Sequence, residues 1–368
     1  MAVRPLLLSV AAVLLTLVGV VTFATGLNGL LDTPERYGWA WDHLIEVTGE
    51  LPEESGDRAL AAFEASGDVD AMAVLWNDRI VLGGEPLPAI GVERHKGDLH
   101  PRIVDGRAPQ RDGESALGRR DLDRLDVDVG ESVVATTGDG VEVSLDVVGQ
   151  AVFPGLGTYS GADRTELARG AVVTIDQLRE LGAGFESRSL AVRYAPDAEP
   201  DAVATALLDR IEVPSDVGFI LLSDQRPGDV ASLERVREVP LVLAGVLALL
   251  AAAGLTQGLL GSIRRGRRDL AVLATIGFTP RQVAGAVAWQ TAAVSVIALV
   301  VAVPFGVAAG RTSWTMLAVG LGIPASAPVP LVPIAVIVGS TAVLATAVTV
   351  LPARRAAHLR PAAVLRTE

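Results

Sequence analysis

Four long apolar runs and one long mixed stretch divide the chain. Residues 5–31, 241–260, 283–309 and 331–351 are almost wholly apolar, and each has the ~20 apolar positions that a helix needs to cross a bilayer. Residues 32–238 show shorter periods instead. Leu60 and Phe63 share one face of a helix expected over Asp57–Ser66, and strands are expected at Val69–Trp76 and Arg79–Leu82 around an Asn77-Asp78 turn. Val-rich runs at Glu131–Thr137 and Val141–Val148 are joined by Thr137-Gly-Asp-Gly140, a hairpin signal. Val172–Ile175 and Leu190–Tyr194 read as strands, Asp176–Leu181 and Pro200–Ile211 as helices. The expected fold is an α-helical membrane protein with four transmembrane helices and an extracytoplasmic mixed α+β domain between helices 1 and 2.

The boundaries follow from those runs. Transmembrane helix 1 takes residues 1–31, the α+β domain 32–228, and a stalk with transmembrane helix 2 takes 229–262. A cytoplasmic loop of 263–282 leads to transmembrane helix 3 at 283–309, an outer loop at 310–330, transmembrane helix 4 at 331–352 and a basic tail at 353–368. The first run is longer than the core of a signal peptide and reads as an uncleaved anchor. Tyr37, Trp39 and Trp41 follow it closely, as aromatic residues of the headgroup region do. Leu233 and Val236 recur at helical spacing and run without an intervening glycine into Pro240, which either begins the second span or kinks a continuous helix; one stalk helix, bent at Pro240, is expected. Gly254 with Gly258, and Gly306 with Gly310, are small-residue pairs that let membrane helices approach closely; Gln257 and Gln290 read as interhelical hydrogen-bonding residues.

Charge sets the orientation. The net charge of -12 is unevenly spread: residues 32–238 hold 41 acidic and 20 basic side chains, the remainder 2 acidic and 11 basic. Arg264, Arg265, Arg267 and Arg268 place their loop on the inside, and Arg354, Arg355, Arg360 and Arg366 place the tail there too. The chain is therefore expected in the plasma membrane, multi-pass, with both termini cytoplasmic and the acidic domain outside. An acidic domain lacks the clustered cations that phosphate contacts require, which argues against nucleic acid as a partner. There is no cysteine, and Lys96, the only lysine, lies in no phosphate-binding loop, so the chain itself is not expected to bind ATP. The four histidines lack metal-ligand spacing, Asp126 and Asp128 read as outward-facing rather than as a cation pair, and no serine has a nucleophile-elbow setting. No catalytic, cofactor or metal residue is assigned, and the chain reads as a non-enzyme.

Between the second and third runs lies Gly261–Gln282, GSIRRGRRDLAVLATIGFTPRQ. After the arginines, Leu270, Leu273, Ile276 and Gly277 recur as in a short amphipathic helix; Thr279-Pro280 then starts the next one. This stretch resembles the cytoplasmic loop of FtsX-like ABC-transporter permeases, the group that includes MacB-type and lipoprotein-exporting systems, and the tail LPARRAAHLRPAAVLRTE is similar to theirs. The runs Val104-Asp-Gly-Arg-Ala-Pro109, Gly113-Glu-Ser-Ala-Leu-Gly118 and Leu125-Asp-Val-Asp-Val-Gly130 are similar to the periplasmic domain of MacB-like permeases.

The resemblance implies a permease subunit whose short cytoplasmic helix docks on a separate ABC ATPase. Arg267, Arg268, Asp269, Leu270, Leu273, Ile276 and Gly277 would make that contact. ATP is then used by the partner, and no cofactor is bound by this chain. Relatives with two four-helix units in one chain imply pairing with a second copy or a related permease half, in contact with membrane lipids. The implied work is export or extraction of a lipid, lipoprotein or peptide; the alternative is a non-transporting regulator that transmits motion to a cell-wall hydrolase or a sensor kinase. The orientation is open to direct test, because a cysteine placed anywhere is the chain's only thiol. Ser187→Cys should react with an impermeant thiol reagent in intact cells and Ser262→Cys should not; labelling of Ser262→Cys overturns the topology.

Overall fold

The computed structural model describes residues 3–156, 165–182, 187–250, 252–254, 257 and 280–357. The chain forms a helical unit, Met1–Gly29 with Val236–Met316 and Ser326–Glu368, and a sheet unit, Leu30–Arg235 with Leu317–Ala325. Among the described residues three helical stretches are long and apolar enough to cross a membrane: Val10–Leu31, Gly228–Gly254, which a turn at Val236–Glu238 interrupts, and Ser295–Gly320. Leu331–Val343, at the start of the Leu331–Ala357 helix, is a shorter apolar helix in the place of the fourth expected span.

In the sheet unit the strands are β1 (His43–Thr48), β2 (Val69–Leu82), β3 (Glu85–Lys96), β4 (Ile103–Gly106), β5 (Glu114–Leu117), β6 (Ser132–Thr136), β7 (Glu142–Ala151), β8 (Ala171–Thr174), β9 (Ser187–Tyr194) and β10 (Gly218–Leu222). They pair in the order β10-β1-β9-β2-β3-β8-β5-β7-β4, and β6 pairs with both β2 and β7. The pairings β2–β3–β8–β5–β7–β6–β2 close into a ring, antiparallel except at β3–β8 and β5–β7. Alternate residues point into that ring, as strand geometry requires. Ile80, Leu82, Leu87, Leu117, Val133 and Leu145 form its core.

The other half of the sheet is open. Helices α2 (Glu53–Ala65) and α5 (Pro200–Leu208) cover it, burying Phe63, Met72, Val192 and Leu207 in a second core. Helix α2 places Ser55, Ala59 and Phe63 on its buried face, with Glu53 and Glu54 in a first turn where the helix dipole favours acids. Helix α4 (Ile175–Leu181) is capped by Thr174, whose hydroxyl accepts from Gln177 N at 3.2 Å. The β6–β7 hairpin forms through Thr137–Val141, where Thr137 N donates to Val141 O at 2.9 Å.

Two expectations are corrected here. Asn77-Asp78 is no turn: β2 runs unbroken for 14 residues, and both side chains are buried. They lie where the strand leaves β9, its partner up to Asn77, and goes on to pair with β6 at Val81. The reversal comes later, at Gly83-Gly84, with φ +58° and +82°; two positive φ values make the two-residue turn that suits a twisted hairpin. The second correction concerns Tyr37, Trp39 and Trp41, which are buried rather than arrayed at a headgroup surface. A 3-10 turn, Pro34–Tyr37, ends at Gly38 (φ +93°) and folds them inward, and the indoles of Trp39 and Trp41 pack 5.2 Å apart.

The ring is held at one end by α3 (Arg119–Leu125), which ends at Asp126 in the left-handed region (φ +54°). Within α3, Asp121 is 2% exposed and accepts a hydrogen bond from Gly170 N at 2.8 Å. Burial pushes its carboxyl up to about 6, against the opposing pull of the Gly170 N–H and of Arg124, whose guanidinium lies 3.3 Å away. An acid raised above its unfolded value near 3.9 is protonated in the folded chain while the unfolded chain has already ionised. Its contribution to stability is therefore highest below about pH 4 and falls as pH rises to about 6. Asp121→Asn should remove that fall: relative to the variant, the unmutated sheet unit should lose up to ~3 kcal/mol between those limits, read from denaturant unfolding of the chain in micelles. Parallel pH profiles for the two proteins would contradict the assignment.

Candidate functional site

The loop residues that the sequence assigns to ATPase docking, Arg267, Arg268, Asp269, Leu270, Leu273, Ile276 and Gly277, lie outside the described residues, as does Gly258. Two other parts of the predicted site are described, the stalk in the sheet unit and the close helix contacts in the helical unit.

The stalk begins as α6 (Gly228–Arg235). Val230 on its inner face is fully buried and Leu233 half-buried, while Val236 is exposed. The expected continuous helix is not what forms. Helical structure stops at Arg235, Val236–Glu238 make a turn, and a helix resumes at Val239; Val239 N donates to Val236 O at 3.0 Å and Val242 N to Glu238 O at 2.9 Å. Pro240 thus stands in the first turn of the new helix, where its missing N–H leaves no bond unmade, rather than in a helix interior. The run had no glycine, so its pattern carried no sign of the break.

Around the base of α6 is a polar network that the sequence reading missed. Tyr37, fully buried, donates its hydroxyl to the Asp224 carboxylate. Burial, and then the adjacent Asp224 charge, raise the phenol well above its usual range, so it stays a donor. Asp224 is held in the left-handed region at φ +54°. Arg226 bridges Asp224 at 3.1 Å and Glu234 of α6 at 2.5 Å, while Arg120 of α3 reaches Glu166 at 3.1 Å and Asp229 of α6 at 3.5 Å. The segment entering the sheet unit is thereby tied to the one leaving it. Nothing in the local pattern announces this, because Tyr37 and Asp224 are 187 residues apart.

In the helical unit, the helix Pro280–Gly320 runs past Ala309, where the apolar pattern put the end of the third span, so the outer connection begins only at Leu321. Arg311 interrupts the run by charge without interrupting the helix. Gly306, Gly310 and Trp314, one turn apart, lie against α1 (Val3–Leu31). A Cβ on Gly306 would come 2.7 Å from Leu15 O, and one on Gly310 would come 2.4 Å from Gly19 O and 2.7 Å from Thr22 Cβ. On α1, Gly26 accommodates the Trp314 indole: a Cβ there would lie 2.5 Å from the ring. Only hydrogen side chains permit such backbone approach. Gly19 and Gly26 complete the contact, and their spacing in an apolar run gave no distinct signal. Gly254 has nothing within 4 Å of its Cβ position, and Gln257 is exposed.

These geometries separate the glycines by consequence. Gly310→Leu should lower the thermal stability of the purified chain markedly, on the order of the 1–3 kcal/mol that overpacking costs, or more. Gly254→Ala should leave it within about 0.5 kcal/mol or raise it, since alanine is the better helix former. Equal melting temperatures for Gly310→Leu and the unmutated chain would contradict the packing.

Residues 241–361 match the family model described as FtsX-like permease C-terminal. No curated protein matches the chain. Among solved structures, a domain of a permease protein from Porphyromonas gingivalis is 13% identical, with 54% of this chain and 97% of that one covered and a TM-score of 0.34. The extracellular domain of the noncanonic ABC-type transporter YknZ from Gram-positive bacteria is 12% identical, over 48% and 99% of the two chains, at a TM-score of 0.33. The periplasmic region of MacB from Actinobacillus actinomycetemcomitans is 8% identical, over 55% and 95%, at 0.33. Over residues 241–361, about a third of its length, the chain is similar to the C-terminal part of FtsX-like permeases.

Proposed function

We propose that this permease is the membrane subunit of an ABC transporter in which a separate cytoplasmic ATPase drives movement of the sheet unit outside the cell, exporting or extracting a lipid, lipoprotein or peptide. The observation that carries the reading is the family match over residues 241–361, which includes the amphipathic stretch Leu270–Ile276 behind its arginines. An apolar helix face flanked by cations suits docking into a groove on a soluble partner while the arginines stay at anionic lipid. The chain has no Gly-Lys pair for a phosphate-binding loop, so hydrolysis belongs to the partner. A two-sided transporter needs a second such unit, and in this reading a second copy or a related permease half supplies it.

Leu273→Asp tests the docking. Burying one leucine is worth roughly 1.5–3 kcal/mol, and a charge in its place adds a desolvation cost. The variant should insert into the membrane normally yet lose at least ten-fold in its ability to retain, and to stimulate, the ATPase that co-purifies with the unmutated chain. Full stimulation by Leu273→Asp would reduce the loop to a membrane anchor.

A further inference from the structure

The turn that follows the third apolar helix is part of the sheet unit: Leu317–Ala325 clusters with Leu30–Arg235. The helix Pro280–Gly320 ends there in a Schellman motif. Gly322, at φ +68°, donates to Val319 O at 3.0 Å, and Ile323 N donates to Ala318 O at 3.0 Å. Ala318 and Ile323, the apolar pair that such a motif brings together, are 0% and 3% exposed.

This cap is seated on the ring of strands. Gln150 of β7 donates its side-chain amide to Gly322 O at 3.2 Å, across 172 residues of sequence. The open side of Gly322 faces α3 and the turn beyond it: a Cβ would lie 2.7 Å from Arg119 Cβ and 3.1 Å from Ala168 Cβ. Gly322 is doubly constrained, since it needs the left-handed conformation and no side chain fits. Its seat is rigid. Arg120 N donates to Ala168 O at 3.0 Å, Gly118 N to Gly170 O at 2.9 Å, and the Asp121 carboxylate accepts from Gly170 N. Helix α3 also carries the Arg120 side chain that pairs with Asp229 at the base of α6.

From these contacts we infer that the Gly322 cap, seated on Gln150, Arg119 and Ala168, is a second coupling joint, through which the third apolar helix moves the ring of strands in parallel with α6. The inference rests on the mechanical reading proposed above. It draws its force from two differences along the chain. The α6 route is interrupted by the turn Val236–Glu238, where the run of helical hydrogen bonds breaks off. The other route passes from the last helical residue, Gly320, to its seat in two residues that are hydrogen-bonded on both sides. Displacement of that helix end reaches α3 and β7 with little slack, and α3 is the element both routes share.

The test uses the full chain in membranes with the ATPase that co-purifies with it. Ile323→Cys should be protected from a water-soluble maleimide at least ten-fold relative to Ser326→Cys, which is exposed; equal labelling overturns the seat. Adding Gly322→Ala should abolish the protection. A dye on the exposed position Glu54→Cys, with an acceptor-labelled headgroup lipid, reports movement of the sheet unit against the bilayer on addition of ATP. Gly322→Ala should reduce that signal several-fold, and Gln150→Ala, which removes one hydrogen bond and adds no bulk, should reduce it in the same direction. Unseating without any loss of signal overturns the coupling role. Should the unmutated chain itself give no ATP-dependent signal while Ile323→Cys stays protected, the mechanical reading fails and the coupling role with it, leaving the cap as a structural contact.

Discussion

The sheet unit depends on one shared element, the β2–β3 hairpin. Along its 14 residues β2 pairs first with β9 and then with β6, and β3 stays beside it from Met72 to Leu82. One end of the hairpin therefore belongs to the open sheet under α2 and α5, the other to the ring of strands. Two hydrophobic cores with different partners share a pair of continuous strands. Buried Asn77 and Asp78 stand at the changeover, where the strand trades one neighbour for another: Asn77 Nδ2 donates to Ser187 Oγ at 3.3 Å, and Asp78 Oδ1 accepts from Arg79 N at 2.7 Å.

Around that frame the attachments are polar and specific. Tyr37, Asp224, Arg226 and Glu234 bind the entering segment to α6, and Arg120 binds α3 to α6. The Gly322 cap adds a third attachment in which shape matters more than charge, because the seat admits a backbone without a side chain. In the helical unit the same device recurs. Gly306 and Gly310 against Gly19 bring two helix backbones together where larger residues would hold them apart.

In the mechanical reading proposed above these two kinds of contact would have different uses. Charged pairs at a partly exposed base are screened by water and salt and contribute little individually, so they would orient the stalk loosely. Backbone contacts at glycine tolerate almost no displacement before atoms overlap, so they would carry position.

Much of this was legible in the sequence wherever the signal was local. Apolar length marked the long apolar helices, strand-like runs marked β7, β8 and β9, the Gly-Asp-Gly turn marked the β6–β7 hairpin, and the pattern of Leu270 to Gly277 behind its arginines resembles the permeases whose C-terminal family model matches residues 241–361. What tertiary structure decided was long-range. Asn77-Asp78 has the composition of a turn, but burial between β9 and β6 draws it into a strand. Tyr37 has the composition of an interface aromatic, but Asp224, distant in sequence, gives its hydroxyl a buried partner. The α6 run has unbroken helical spacing, yet the helix ends at Arg235 and restarts with Pro240 in its first turn. Periodicity and turn chemistry act over a few residues and can be read from them; which strand, charge or backbone arrives from the far end of the chain is set only when the two cores close.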